Sequence, residues 1–343
     1  GIMVYENLGQ KHSDRYQYTF PYYDFSKDLT SIISDDYTIG SLNFNSNGSN
    51  KLSETNNLRT EIQNTLNYAS PDFISNIGLK NNFNLYLSNS NAIGKNDTIY
   101  TSDPQIDAKS LLKLDSAFPL IKFSDKNTET LTPKISFMIN PGNNMNDYSN
   151  LGSTISASNA FNINRLGISS DFEAGRSATF GLDYKLDPIE EYVTEDIKDK
   201  YLGINIATVI RDQIEEEIPV SSTINRKNSN LFGSIDNKLL ENIDFSYDFS
   251  LDNDMKTLAQ NSIGTEISIN NFVTKFNYTE YRNELGSTHL ISNKTEYNFN
   301  DNTKLTFSTR RNKEINLTEY YNLSYEYKND CLTAALKFNK TFY

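Results

Sequence analysis

The chain has 343 residues, of which 37% are hydrophobic, and its formal net charge is −12 at pH 7. Its mean hydropathy is negative, and no stretch approaches the ~18 consecutive apolar residues that a membrane-spanning helix needs. The acidic balance and the lack of a Lys/Arg cluster argue against a nucleic-acid partner, because phosphate contacts need such clusters.

The first hundred residues alternate apolar and polar side chains in short stretches. This period of two is typical of a β-strand with one apolar and one polar face. It predicts strands over the following ranges: 15–22, 40–50, 58–68 and 79–87. Residues 58–68 also fit a short helix, but the neighbouring strands favour a strand. The polar stretch 88–104 is predicted to be a loop.

The middle of the chain is less regular. Residues 161–168 and 180–186 are predicted to form a pair of strands, and residues 202–210 a further strand. The charged stretch 189–200 fits a short helix or an ordered loop. Residues 211–230, which include three consecutive glutamates, are predicted to be a long solvated loop.

From Leu231 onward the alternation becomes regular and predicts about eight strands. Tight turns are indicated by Asn270-Asn271, by Asn300-Asp301-Asn302 and by Lys328-Asn329-Asp330. The alternate connections are somewhat longer. Short turns on one side and longer loops on the other are typical of an outer-membrane β-barrel.

These patterns predict an all-β fold, namely an antiparallel transmembrane β-barrel. A barrel reconciles a polar average with a membrane location, because only the lipid-facing half of each strand must be apolar. The 22 tyrosines and 20 phenylalanines suit the aromatic girdles of such barrels. Roughly seventeen strands are expected, with an uncertainty of two or three in the first half. A soluble β-rich protein is the alternative that composition leaves open.

The polar residues that alternate with the apolar rows are candidates for a lumen-facing surface, and they are Ser246, Asp248, Thr274, Asn277, Asn322 and Glu326. No catalytic, cofactor or metal site is indicated. His12 and His289 are far apart in sequence and lack metal-ligand spacing, and no serine lies in a G-x-S-x-G elbow. We therefore expect a protein that is not an enzyme and that needs no cofactor.

Two stretches resemble LptD, the lipopolysaccharide-assembly family of the outer membrane. The first begins at Asn159 and contains Asn164-Arg165, Gly167, Glu173, Gly175, Arg176 and Gly181-Leu182, which is similar to the family's N-R-x-x-G … E-x-G-x-R-x-x-Y-G-L segment. The second is Tyr325-Glu326-Tyr327-Lys328-Asn329-Asp330-Cys331, which is similar to a Y-x-Y-x-x-D-C strand and turn near the family's C-terminus.

The resemblance implies that residues 1–343 are part of the LptD-type barrel domain, in a family whose barrels have twenty-six strands. The family's N-terminal periplasmic jelly-roll, its first strands and its last strand have no counterpart in this sequence. We therefore expect an open sheet, because missing strands leave backbone groups unpaired. Cys331 would form a disulfide with the absent N-terminal region, as an oxidising compartment permits.

The resemblance also implies function and partners. The protein would insert lipopolysaccharide into the outer leaflet of the outer membrane. Its partners would be lipopolysaccharide, outer-membrane lipid, an LptE-like lipoprotein plug and an LptA-like periplasmic bridge that contacts the missing domain. Three other interpretations stay open: another large outer-membrane barrel such as a porin or plugged receptor, a secreted β-rich adhesin, and a barrel phospholipase.

Overall fold

The structure is a computed structural model that describes residues 1–6, 16–33, 39–54, 56–168, 171–189, 200–283 and 286–342. These residues contain a sheet of nineteen strands, one helical turn, α1 (Thr30–Ile33), and a 3-10 turn (Val220–Ser222). No helix in the described ranges is long and apolar enough to cross a membrane. The all-β, antiparallel prediction is confirmed.

The chain divides into two compact units. The first comprises Gly1–Ser116, Ser136–Asn146 and Ile168–Arg176. The second comprises Ala117–Ile135, Asp147–Gly167 and Ser177–Tyr343.

The first unit holds the N-terminal strands, which pair in sequence as an antiparallel meander from β1 to β4 and then from β4 to β6, with the two-residue β5 also paired to β6. These strands are β1 (Met3–Glu6), β2 (Tyr16–Asp28), β3 (Ser41–Ser53), β4 (Asn57–Ala69), β5 (Phe73–Ile74), β6 (Lys80–Lys95) and β7 (Gln105–Ala117). The strand interpretation of residues 58–68 is confirmed by β4.

The polar stretch at residues 88–104 is only partly a loop, because β6 continues to Lys95. Its polar residues Ser88 to Asn91 pair with residues 62–65 of β4. The prediction failed because the cross-strand pairing, and not the local polarity, decides where this strand ends.

The second unit holds strands that again pair in sequence, β8 with β9, β9 with β10, and so on to β19. They are β8 (Leu120–Phe123), β9 (Asn127–Ile139), β10 (Arg176–Pro188), β11 (Leu202–Arg211), β12 (Asn228–Asn237), β13 (Ile243–Leu251), β14 (Leu258–Ile269), β15 (Phe272–Asn283), β16 (Gly286–Asn300), β17 (Thr303–Asn312), β18 (Leu317–Lys328) and β19 (Thr333–Thr341). The eight strands predicted from Leu231 onward are β12 to β19.

Two predictions for the middle of the chain need correction, and one lies outside the described residues. Residues 161–168 form turns and not a strand, with Gly167 at a φ of +73° that a strand does not use. Residues 211–230 are not a long solvated loop, because Arg211 ends one strand, Asn228 begins the next, and Glu215 and Ile218 between them are buried. The helix-or-loop prediction for 189–200 falls almost wholly on 190–199, which the structure does not describe.

An ion pair anchors the connection after β6 to β4. Arg59 donates to both carboxylate oxygens of Asp97, at 2.8 and 3.1 Å, and the backbone N–H groups of Ile99 and Tyr100 donate to Asp97 Oδ1. The Arg59 guanidinium, joined by these N–H groups, lowers the pKa of Asp97 to about 2.

Because this pKa is lower in the folded than in the unfolded chain, the anchor stabilises the connection above pH ~4 and is lost as the pH falls towards 2. We expect protection of the Ile99 and Tyr100 amides from hydrogen exchange to persist at pH 5 and to collapse near pH 2, after correction for intrinsic rates. The Asp97→Asn variant lacks the carboxylate, so at both pH values its two amides should show the low protection that the unmodified protein reaches only near pH 2. Equal protection of the two proteins at pH 5 would contradict this account.

Candidate functional site: the polar face and its inserted segments

The strands β13 to β18 of the second unit place polar side chains on one face. Directly paired residues share a face of the sheet, and one such row crosses all six strands. The row consists of Asp244, Glu266, Lys275, Lys294, Ser308 and Asn322. We call the side of the second unit's sheet that carries this row the polar face.

Charges on the polar face are paired across and along the strands. Lys275 Nζ lies 2.7 Å from a carboxylate oxygen of Glu266. Glu296 accepts from Lys294 at 2.5 Å and lies 3.7 Å from Lys304. Paired, partly exposed charges of this kind suit a hydrated surface and contribute little stability individually.

The opposite side, here called the apolar face, carries a matching apolar row. This row runs through Ile243, Ile267, Thr274, Thr295, Phe307, Leu323 and Phe338. Its members on β17 to β19 are uncovered, with Leu323 41% and Phe338 61% exposed. Contiguous exposed apolar surface on this scale marks contact with lipid or with another protein.

Aromatic side chains gather on the apolar face near the turns that follow β16 and β18. Tyr297 and Phe299 lie with ring centroids 4.9 Å apart, and Phe299 lies 6.3 Å from Tyr325. Tyr297, Phe299 and Tyr325 are all exposed. Aromatics in this position form the girdles of outer-membrane barrels, where ring and hydroxyl meet the membrane interface.

Five of the six residues predicted to face a lumen share the polar face. Ser246, Asp248, Asn277, Asn322 and Glu326 all have the parity of the polar row, and their lumen assignment remains a prediction. The structure separates Thr274 from them, because it lies on the apolar face. Thr274 and Asn277 are three residues apart on β15, and an odd spacing along a strand puts two side chains on opposite faces.

Thr274 fits the apolar face because its polar atoms find partners there. Its hydroxyl lies 2.9 Å from that of Thr295, and Asn293 donates to it at 3.0 Å. Partners of this kind reduce the cost of placing polar groups against lipid.

Two non-strand segments of the second unit pack over the polar side of β10 to β12. Residues 147–167 and 212–227 bury an apolar cluster comprising Ile155, Ala157, Ala160, Leu166, Ile218 and Ile224. The sheet side chains of the same parity beneath them, Thr179, Val209 and Phe232, are also buried. We call residues 147–167 and 212–227 the inserted segments. They were missed as a unit because residues 161–167 alternate like a strand and residues 212–227 have the composition of a solvated loop.

Backbone hydrogen bonds join the two inserted segments to each other. The Tyr148 N–H donates to the carbonyl of Glu217, and the Val220 N–H donates to the carbonyl of Ser149. The Ser221 hydroxyl accepts from the Ser153 N–H at 2.9 Å. Because buried backbone N–H and carbonyl groups need hydrogen-bond partners, these bonds allow segments without regular secondary structure to be buried.

Arg165 connects the inserted segments to the sheet. It is 3% exposed, and its guanidinium donates to the carbonyl of Ala160, to the hydroxyl of Thr179 and to the hydroxyl of Ser177 at 2.7–3.1 Å. Thr179 and Ser177 belong to β10. A buried guanidinium needs such a set of acceptors, because an unpaired buried charge is costly.

Other residues of the first family-like stretch also have structural roles in the second unit. The ring of Phe161 lies over Gly181, where a Cβ atom would come within 2.6 Å of it. Asn159 accepts from the Ser156 N–H and donates to the Thr154 carbonyl. Phe161 therefore packs an inserted segment against β10, where a side chain at Gly181 would collide with its ring, and Asn159 fixes a turn within that segment.

A cavity of about 630 Å³ lies beside the inserted segments on the polar side of β12 to β15. Its lining includes Ile155, Ser222, Asn230, Phe232, Gln260 and Tyr281. Arg226, Asp252 and Arg282 also line the cavity, so it offers hydroxyl, amide and aromatic groups together with charges of both signs and can accommodate a polar ligand.

Cys331 lies in the turn between β18 and β19, and its thiol is exposed. The side chain of Asn329 accepts from the N–H groups of Cys331 and Leu332, which fixes the turn. Cys331 is the only cysteine in the sequence, so any disulfide that it forms must involve another chain or another segment of a longer chain.

Of the two histidines, only His289 lies in the part of the chain that the structure describes. His12 lies outside the described residues, and His289 packs edge-on against Tyr278 at 5.3 Å. Within the described ranges no group of three or more His, Cys, Asp or Glu residues could hold a metal ion.

No protein-family model matches the sequence, and a search of curated proteins found no significant match. A mutant of the ferric enterobactin receptor PfeA of Pseudomonas aeruginosa aligns with 94% of this chain and 57% of its own length, at 10% identity and a TM-score of 0.42. The copper transporter OprC aligns with 98% of this chain and 60% of its own length, at 9% identity and a TM-score of 0.32. At these values neither alignment bears on function.

The geometry of the chain itself defines its class. Long antiparallel strands, an exposed apolar face with aromatic residues near its edge, and a charged opposite face are the features of the sheet in an outer-membrane β-barrel. The predicted outer-membrane location agrees with this sheet.

Proposed function

We propose that this chain forms part of the wall of a large outer-membrane β-barrel that moves a hydrophilic cargo across the membrane. The observation that carries the proposal is the separation of faces from β13 to β18. The row that contains Phe307 and Leu323 is exposed and uncharged, whereas the opposite row contains Glu266, Lys275 and Lys294. A sheet with these faces suits lipid on one side and water on the other.

Within this class, the specific function that we propose is the insertion of lipopolysaccharide into the outer leaflet, as in LptD. Support comes from the family-like stretch around Arg165, whose residues seat the inserted segments, and from the exposed Cys331 in a short turn. The polar face would contact the sugar part of lipopolysaccharide and an LptE-like plug. An LptA-like bridge would deliver the lipid to a periplasmic domain outside this sequence.

A plugged receptor is the second candidate, and one observation favours it. The inserted segments cover part of the polar side of the sheet with the chain's own residues, as a plug would. Depletion of the protein in cells separates the two functions. Loss of newly made lipopolysaccharide from the cell surface supports the LptD-type function, whereas normal surface lipopolysaccharide with impaired uptake of one solute supports a receptor.

The disulfide gives a second test. We expect the full-length protein, purified with its thiols blocked, to migrate differently on non-reducing and reducing gels, because a disulfide that closes a long loop compacts the denatured chain. The Cys331→Ser variant should show a smaller mobility difference than the unmodified protein. Equal mobilities of the full-length protein on the two gels, or an undiminished difference in Cys331→Ser, would contradict the disulfide and weaken the LptD-type proposal.

A further inference from the structure

The first unit carries a polar row where a lipid-facing sheet should be apolar. On β3, β4 and β6 one face presents Phe44, Leu66 and Leu87, whereas the opposite face presents residues such as Asn47, Gln63 and Ser90. Part way along the apolar side, Ser46, Asn64 and Asn89 are paired directly across the three strands, and Asn91 follows on the same face. We call these four residues the amide row.

Hydrogen bonds within the amide row leave two groups unused. The Ser46 hydroxyl donates to Asn64 Oδ1 at 2.7 Å, and Asn91 Nδ2 donates to Asn89 Oδ1 at 2.6 Å. Among the described residues, Asn64 Nδ2 and Asn91 Oδ1 then have no partner. An amide group facing hydrocarbon without a hydrogen bond is unfavourable.

A groove of about 390 Å³ lies against the amide row. Its lining includes Phe44, Leu66, Leu87, Ala108 and Ser110, together with Asn64 and Asn89. The one charged residue of the lining, Lys109, places its Nζ 2.7 Å from Asp171 and 3.1 Å from Asp107. The groove is therefore apolar, and its free amide donor matches an uncharged acceptor.

We propose that this groove binds a membrane lipid, with an acyl chain along Phe44, Leu66 and Leu87 and an ester carbonyl that accepts a hydrogen bond from Asn64 Nδ2. The apolar lining and the neutralised Lys109 select this occupant over a charged headgroup or a charged protein segment. The inference rests on the proposed membrane-facing role of the sheet, but it goes beyond the transport function.

The test compares two forms of phosphatidylethanolamine that differ only in ester or ether linkage of their chains, since the ether form lacks the carbonyl acceptors. The folded protein, purified in an amine-oxide detergent, is titrated with each lipid and the bound lipid is counted by native mass spectrometry. We expect about tenfold tighter binding of the first ester lipid than of the ether lipid, the value of one buried hydrogen bond.

The variant Asn64→Leu should bind the two lipids equally, and the control Gln63→Leu, which changes the adjacent residue on the opposite face, should keep the preference. Equal binding of both lipids by the unmodified protein, or a preference that survives in Asn64→Leu, would overturn the lipid site alone. A protein that fails to insert into lipid vesicles would overturn the proposed function and the lipid site together.

Discussion

Replacing Leu323 by Arg is expected to destabilise the protein folded in a bilayer by about 2–4 kcal/mol, whereas Asn322→Arg should change its stability by less than ~1 kcal/mol. The two residues are adjacent near the middle of β18. Leu323 lies between Phe307 and Phe338 on the apolar face, and Asn322 lies between Ser308 and Asn339 on the polar face. The same charged group is thus placed against lipid in one variant and against water in the other.

The measurement is reversible urea unfolding of the full-length protein in short-chain phosphatidylcholine vesicles, with both variants compared under one set of conditions. The two variants carry the same new side chain at nearly the same position along the strand. The difference between their free energies of unfolding therefore reports which face of the sheet each side chain occupies. Equal losses for the two variants, or a larger loss for Asn322→Arg, would contradict a lipid-facing apolar side.

The same design tests the placement of Thr274. Because Thr274 lies on the apolar face, Thr274→Arg should be more costly than Asn277→Arg, but by a smaller margin than in the Leu323 pair, because Thr274 lies near the end of β15 and the cost of a charge falls towards the interface. A larger cost for Asn277→Arg would mean that β15 turns Asn277, and not Thr274, towards lipid. This pair is informative because both residues are polar, so that composition alone does not distinguish them.

The C-terminal strands could be predicted from sequence because each carries an unbroken alternation. In β18, for example, Tyr321, Leu323, Tyr325 and Tyr327 occupy every second position, and water and lipid on the two sides of one strand require this period. The position of Thr274 was missed for a related reason. The residue type of Thr274 alone does not indicate on which face of the sheet its side chain lies. Its odd spacing from Asn277 along the strand does indicate that the two side chains lie on opposite faces.

Two other elements escaped prediction because their structure depends on contacts with distant residues. The part of β6 from Ser88 to Asn91 lacks alternation altogether, and it is a strand because β4 provides its partners. Residues 161–168 alternate but form turns, because Phe161 packs on Gly181 and Arg165 reaches Thr179 of β10. In both cases tertiary pairing overrides the local pattern.

The candidate site divides in the same way. The polar face follows from alternation, so five of its residues were correctly grouped from sequence. The inserted segments could not be predicted from alternation, because their burial depends on Arg165 and on backbone hydrogen bonds between the segments. The family-like stretch identified Arg165 as a residue of interest, but only the structure shows that it fastens irregular chain to the sheet.

This fastening makes Arg165→Met the variant with the largest expected effect on the inserted segments. Methionine retains much of the side-chain volume but leaves the Ala160 carbonyl and the Thr179 and Ser177 hydroxyls without their buried donor. Losing hydrogen bonds from a charged donor in such a site costs about 3 kcal/mol. The population in which residues 147–167 are detached should therefore rise roughly 100-fold.

Limited digestion with chymotrypsin measures this population, because residues 147–167 contain Tyr148, Leu151 and Phe161 and because cleavage follows the open fraction when opening is fast. Arg165→Lys keeps the charge but not the fork of donors, so its cleavage rate should be intermediate. Arg310→Met, which removes an arginine whose side chain is 46% exposed, should leave the rate unchanged. If Arg165→Met and Arg310→Met were cleaved at equal rates, Arg165 would not hold the inserted segments, and their burial would depend on the apolar cluster and on the hydrogen bonds between the two segments.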